Sequence, residues 1–245
     1  MTAMLLNAEA SRCPVSRPRP EPGIVMRSDQ RIHAPRLRMS RDGLTYDGAG
    51  PADRDPEGFL WPQVIGPETG RYLYADVNPV KQRLAMQSPH RLLCQVGMGP
   101  ATRTATGVLW LVPKATGTAQ DPVHPRWPEI RTTEPPVCAF HAPYAARDCK
   151  RMRRFGYGAF FVRKAELVAV EGTVYRPSPA GGIEVFKGAV CELDPFGEEE
   201  QPESIVDPRF MLARHLVRRL RGMTPVDLSD PELYLNAVPC NQEEG

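Results

Sequence analysis

Residues 207–222 read Asp-Pro-Arg-Phe-Met-Leu-Ala-Arg-His-Leu-Val-Arg-Arg-Leu-Arg-Gly. Asp207-Pro208 has the form of an N-cap followed by proline in the first turn, and Gly222 that of a helix stop. Between them Leu212, Leu216, Val217 and Leu220 share one face at helical spacing. Arg218, Arg219 and Arg221 fall in the last turns, where a helix dipole favours cations. The stretch predicts a helix over 208–221. Upstream, 157–163, 167–175 and 183–193 read as three β-strands, the last two joined by the turn-forming run Pro177-Ser178-Pro179-Ala180-Gly181-Gly182. The expected C-terminal region, 156–245, is therefore an antiparallel three-stranded sheet packed by one helix, and the fold class is α+β.

Further upstream the regularity thins. Gly107 to Val112 is an apolar strand candidate, and 113–136 is proline-rich and irregular. Asn78-Pro79 has the form of an N-cap opening a short helix through Met86. From Arg41 to Asp76 short apolar runs alternate with Asp42-Gly43, Asp47-Gly48, Gly66-Pro67 and Thr69-Gly70, all turn signals. Residues 1–38 show no sustained period and read as a flexible basic arm, with Met26 or Met39 as alternative starts. Residues 39–155, between arm and sheet, are expected to form a degenerate zinc-finger-like region. The acidic run Glu198-Glu199-Glu200 reads as a solvated loop.

Composition bounds the class. Of 245 residues, 41% are hydrophobic and 24% charged, enough for a packed core, while 27 Pro and 20 Gly imply many turns. The formal charge of +2, from 31 basic and 29 acidic side chains, excludes a uniformly basic polyanion binder but allows a local basic patch. No apolar run approaches the roughly 20 residues of a spanning helix. Ala3-Met4-Leu5-Leu6 is too short for a signal-peptide core, so the expected location is the cytoplasm, with no membrane partner. In that reducing compartment Cys13, Cys94, Cys138, Cys149, Cys191 and Cys240 are candidates for metal ligands or reactive thiols rather than disulfides.

The segment from Cys94 to Cys149 carries the chemistry. Cys94-Gln95-Val96-Gly97-Met98-Gly99 has the form of a zinc knuckle whose second ligand position is Gly97. A hairpin-like segment follows, then Cys138-Ala139-Phe140-His141 after Pro135-Pro136. If a helix starts there, Cys138 and His141 lie one turn apart and point the same way. Knuckle, hairpin and helix-borne ligands in this order suggest a degenerate treble-clef-like zinc finger at the centre of the chain. Structural zinc takes four N/S ligands; Cys94, Cys138 and His141 supply three. Cys149 lies eight residues past His141, about 12 Å along a straight helix, and completes the set only if the chain folds back at Pro143. The alternatives are a relic finger without metal, three ligands plus water, and unrelated buried cysteines.

From about residue 40 to about residue 230 the chain resembles a family of uncharacterised actinobacterial proteins, common in Streptomyces and its mobile elements. The resemblance rests on Asp53-Arg54-Asp55 with Gly58-Phe59-Leu60-Trp61, Arg91-Leu92-Leu93-Cys94-Gln95-Val96, Gly107-Val108-Leu109-Trp110-Leu111, Thr132-Thr133-Glu134-Pro135-Pro136-Val137-Cys138, and Pro225-Val226-Asp227-Leu228. It implies a first C-x-x-C and a second C-x-x-C followed by another Cys. Cys94, Cys138 and Cys149 match that pattern, while Gly97 and His141 depart from it. The family carries no assigned activity to transfer.

Functionally, these residues suggest a non-enzymatic binding or regulatory protein with zinc as its cofactor and a protein or a nucleic acid as partner. Arg147, Lys150, Arg151, Arg153 and Arg154 form a basic cluster opposed by Asp148, with Phe155 and Tyr157 beside it for stacking. The same cluster also reads as an ordinary solvated helix end. An alternative is a metal-dependent nuclease of the His-Asn-His type, but His90 and His124 are poorly placed for it. A thiol enzyme with Cys138 as nucleophile and His141 as base lacks an orienting acid. No P-loop, G-x-G-x-x-G after a strand or G-x-S-x-G motif is present.

Overall fold

A computed structural model of the chain describes residues 22–88, 91–114, 129–193 and 206–235. Where turn signals crowd the sequence, strands are short and pair locally. β1 (Val25–Arg27), β2 (Arg31–His33) and β3 (Arg38–Ser40) are followed by β4 (Gly43–Thr45), β5 (Gln63–Ile65) and β6 (Tyr72–Val77). The antiparallel pairs are β1 with β6, β2 with β5 and β3 with β4. Val25–Arg27 and Arg31–His33, expected within the flexible arm, thus lie in paired strands. The rest of the arm up to residue 21 is outside the described residues.

Helix α1 (Pro79–Gln87) forms as expected, with the Asn78 side chain accepting from the amides of Val80 and Lys81. β7 (Arg103–Thr104) and β8 (Gly107–Pro113) make a hairpin, and β9 (Glu129–Thr132) follows. Two short helices, α2 (Ala142–Asp148) and α3 (Lys150–Phe155), lead into β10 (Tyr157–Pro177), β11 (Ile183–Glu192), β12 (Met211–Pro225) and a last turn, α4 (Glu232–Leu235). Among the described residues no helix is long and apolar enough to cross a membrane.

The two expected strands 157–163 and 167–175 are one strand of 21 residues, β10. One edge of β10 pairs with β12; the other pairs first with β8 and then with β11. With β7 beside β8 and β9 beside β12, this makes a six-stranded antiparallel sheet. A strand of that length has to bend, and it does so at register shifts on either side of Glu171. At Gly172 an added Cβ would lie 2.4 Å from the Leu212 carbonyl oxygen, so only glycine lets β12 approach here.

The expected α+β arrangement is overturned: the described chain is mostly β, and the predicted helix 208–221 is strand β12, preceded by a single 3-10 turn at Pro208–Phe210. Pairing Glu171 with His215 and Gly172 with Ala213 leaves Arg214 bulged out of register. Met211, Ala213, Leu216, Arg218 and Leu220 are then the positions that enter the interior. A bulge and an inward-facing arginine together break the period of two, and Leu212, Leu216, Val217 and Leu220 mimic a helical face instead.

β8 explains why its sequence is apolar at nearly every position. Val108, Trp110 and Val112 pack with Phe160, Val162, Leu216 and Leu220 on one face of the sheet. Leu109 and Leu111 pack with Val137, Ala142, Ala146 and Met152 on the other. A strand buried on both faces shows no alternation.

Helix α1 is fastened to β12 by two polar side chains. The Gln82 amide behaves like a strand partner, accepting from Leu216 N at 3.0 Å and donating to Leu216 O at 2.9 Å. Arg218 is 1% exposed and donates to the carbonyls of Met86 and Gln87 at the end of α1 and to that of Ala165 on β10. Burial pulls its guanidinium down to about 10, still charged at neutral pH. Arg218→Ala strands these carbonyls in the interior and is expected to cost about 3 kcal/mol in urea unfolding. Leu84→Ala, on the solvent side of α1 with Leu84 60% exposed, should change stability by under about 0.5 kcal/mol.

On the opposite face His215 sits across from Glu171, with Nδ1 3.7 Å from a carboxylate oxygen. Burial holds its imidazole below the ordinary value and outweighs that neighbouring carboxylate. The unfolded chain therefore protonates at His215 at higher pH than the folded one. Its contribution to stability is complete above about pH 6.5 and is lost as pH falls through that value. Thermal unfolding between about pH 7.5 and 5 should show this decline, and His215→Gln should flatten it.

Candidate metal centre

Cys94 opens a tight turn closed by Met98 N donating to Cys94 O at 2.9 Å and Cys94 N to Gly99 O at 2.7 Å. Gly23 N and Ile24 N brace it from one side by donating to Val96 O and Gln95 O. From the other side Gln95 donates through its backbone amide to Pro136 O at 2.9 Å and through Nε2 to Pro135 O at 3.1 Å. The two prolines have no amide hydrogen to offer, so this extended segment presents carbonyls to the turn. The next residues fasten to the sheet: Val137 N donates to Leu109 O at 3.0 Å, and Ala139 N to Thr102 Oγ1 at 2.8 Å. The chain then coils, with the amides of His141 and Ala142 both donating to Cys138 O at 3.0 Å, and α2 begins with Pro143 in its first turn.

These segments bring three candidate ligands together. Cys138 Sγ lies 3.3 Å from His141 Nδ1 and Cys94 Sγ lies 3.6 Å from the same nitrogen. All three ligand atoms fall within 4.8 Å of one another, a group able to hold a metal ion. Cys94 is 0% exposed, and Cys138 and His141 are each 1% exposed. The Phe140 ring stands edge-on to the imidazole at 5.1 Å. Two thiolates balance a divalent cation, and a neutral complex is the kind that so dry a site tolerates.

Cys149 is not brought into this group. α2 continues unbroken past Pro143 to Asp148, and Cys149 is the half-buried junction between α2 and α3. Gly97, at the tip side of the turn, offers no ligand atom. Nor is the group housed in a separate central finger: β8, the expected arm of a finger hairpin, is an interior strand of the main sheet. Cys191 is remote in role, buried with its thiol pushed up to about 11 by burial and donating to Val206 O. Residues that the sequence reading did not single out, Thr102, Gln95 and Phe140, position the ligands. Their contacts depend on loop conformation and leave no periodic trace in sequence.

The basic residues are exposed on the helices that follow. Arg147 pairs with Asp148 at 2.8 Å and stacks over Tyr144 at 5.1 Å. Arg154 stacks over Phe155 at 5.0 Å. Arg151 faces Glu134, whose carboxyl is held above its ordinary value by burial, with Arg151 opposing that shift. Lys150 and Arg153 are exposed and carry no ion pair among the described residues. His90, His124 and Glu198-Glu199-Glu200 lie outside the described residues.

The chain matches no known family model, and no curated protein or solved structure proves similar to it. Native mass spectrometry with elemental analysis should find one metal ion per chain. Cys138→Ser should abolish it, and Cys149→Ser should leave the stoichiometry unchanged.

Proposed function

We propose that this is a cytoplasmic, non-enzymatic binding or regulatory protein. In this reading zinc at Cys94, Cys138 and His141 stabilises the flank of the sheet, and the α2–α3 surface binds the phosphate backbone of a nucleic acid. Zinc suits the donor set: tetrahedral bonds of about 2.3 Å to sulfur and about 2.0 Å to nitrogen put S and N roughly 3.5 Å apart. The observed 3.3 and 3.6 Å bracket that separation. Burial of Cys138 and His141 leaves a substrate no route to the thiol, which supports a structural site rather than a nucleophile.

The observation that carries the partner reading is the concentration of charge. Arg147, Lys150, Arg151, Arg153 and Arg154 are all exposed on two consecutive short helices, with Asp148 as the acid among them. Beside them a shallow groove is lined by Pro143, Ala146, Arg147, Tyr157, Leu228 and Ser229. Tyr157 is 38% exposed there and offers a ring face for a base.

Anisotropy titrations with a short single-stranded oligonucleotide test this. If four of the cations meet phosphates, log K should fall with log salt at a slope of about −3. Replacing Arg153 and Arg154 by Gln should make that slope shallower by about 1.4. No binding at low salt, together with salt-insensitive co-purification of a protein, would overturn the nucleic-acid reading in favour of a protein partner. Nicking of plasmid in magnesium would overturn the non-enzymatic one.

A further inference from the structure

His141 of the metal group and the basic surface are parts of one short piece of chain. His141 is the residue from which α2 starts, Cys149 joins α2 directly to α3, and Phe155 is followed at once by β10. α2 has seven residues and α3 has six. Helices this short do not persist on their own, because nucleation costs more than so few hydrogen bonds return. Their geometry has to come from docking.

The docking surface is small. α2 buries Ala142 and Ala146, α3 buries Met152, and Ala145 and Cys149 pack only partly. The His141 side chain makes no capping bond to the helix it starts. It turns instead toward the two thiols, one on the turn at Cys94 and one on the strap that is bonded to β8. At the far end α3 closes on itself with Gly156 N donating to Met152 O at 2.8 Å, and the connection to the sheet is the backbone bond from Lys114 N, just past β8, to Gly156 O at 3.0 Å. Two alanines and a methionine bury little apolar area, whereas a metal on His141 would tie the first turn of α2 to both the turn and the strap.

Resting on the polyanion reading above, we infer that metal occupancy gates that surface. With a metal held by Cys94, Cys138 and His141, α2 and α3 are docked and Arg147, Lys150, Arg151, Arg153 and Arg154 are presented as one array. Without it the two helices loosen and the cations disperse over a mobile segment, while the β10–β12 sheet, which has its own core, stays folded. The ligand effect is then a regulatory one: the metal tunes partner affinity without touching the partner.

The experiment compares wild-type protein loaded with zinc, stripped by a high-affinity chelator, and reloaded with zinc. Amide hydrogen exchange is read over 142–155 with 157–177 as internal reference, and oligonucleotide binding is read by anisotropy. Stripping should speed exchange in 142–155 by about tenfold or more, with the reference segment unchanged. It should weaken oligonucleotide binding by about fivefold or more, and zinc should restore both. Equal exchange and equal binding in all three samples would overturn the gating and leave the polyanion reading standing. Zinc-dependent exchange with no oligonucleotide binding in any sample would overturn the polyanion reading and leave the metal coupling standing. Failure of the protein to retain zinc at all would overturn the inference. Cys94→Ser should behave as the stripped sample does; if that variant does not fold, the chelator comparison on wild-type protein still decides.

Discussion

Arg218 brings a positive charge into the interior, where its guanidinium meets carbonyls at the end of α1 and on β10. A charge in that position is tolerated only because its donors are matched, and the matching fixes three elements at once. It stops α1 where its last carbonyls need partners. It holds β12 in the register that places Leu216 and Leu220 in the core, and it closes β12 against β10. Gln82 repeats the device one turn earlier in the helix, lending a side-chain amide where β12 has no neighbouring strand. The first half of the chain, made of short strand pairs, is thereby joined to the long sheet through α1.

The second organising constraint is the group formed by Cys94, Cys138 and His141, which gathers segments that have little apolar surface of their own. The turn after Cys94, the proline strap and the start of α2 are tied by backbone hydrogen bonds on their outer sides and by the two thiols and imidazole within. This places the chemistry at the flank of the sheet, against the face of β8 that carries Leu109 and Leu111. The exposed cations follow immediately in sequence. A closed site and an open charged surface thus lie side by side on the same flank of the sheet.

Some of this was legible in the residues. Asn78-Pro79 announced α1 because capping is local chemistry, and the unbroken apolar run at 107–112 announced β8 because both its faces are covered. The spacing of Cys138 and His141 points to their convergence, and the Cys94 turn to the third member of the group. The C-terminal reading failed at particular positions. Lys164-Ala165-Glu166 reads as a break between strands but lies within β10, and the bulge at Arg214 with the inward Arg218 erases the strand period of β12. Cys149 matched a ligand pattern in sequence, yet an intact α2 carries it away from the group. For β12 the deciding interaction is long-range: the partner that explains Arg218 is Met86, 132 positions away.

That separation bears on how the chain reaches its fold. Gln82 finds Leu216 across 134 positions, and Arg221 on β12 finds Glu129 on β9 across 92. Contacts this remote are formed late, because loop closure has to precede any return from them. During synthesis α1 leaves the ribosome long before the residues that satisfy its final carbonyls, and one edge of β10 is made before the strand that covers it. The nascent protein therefore passes through a stage with an open strand edge and with the last carbonyls of α1 still unpartnered.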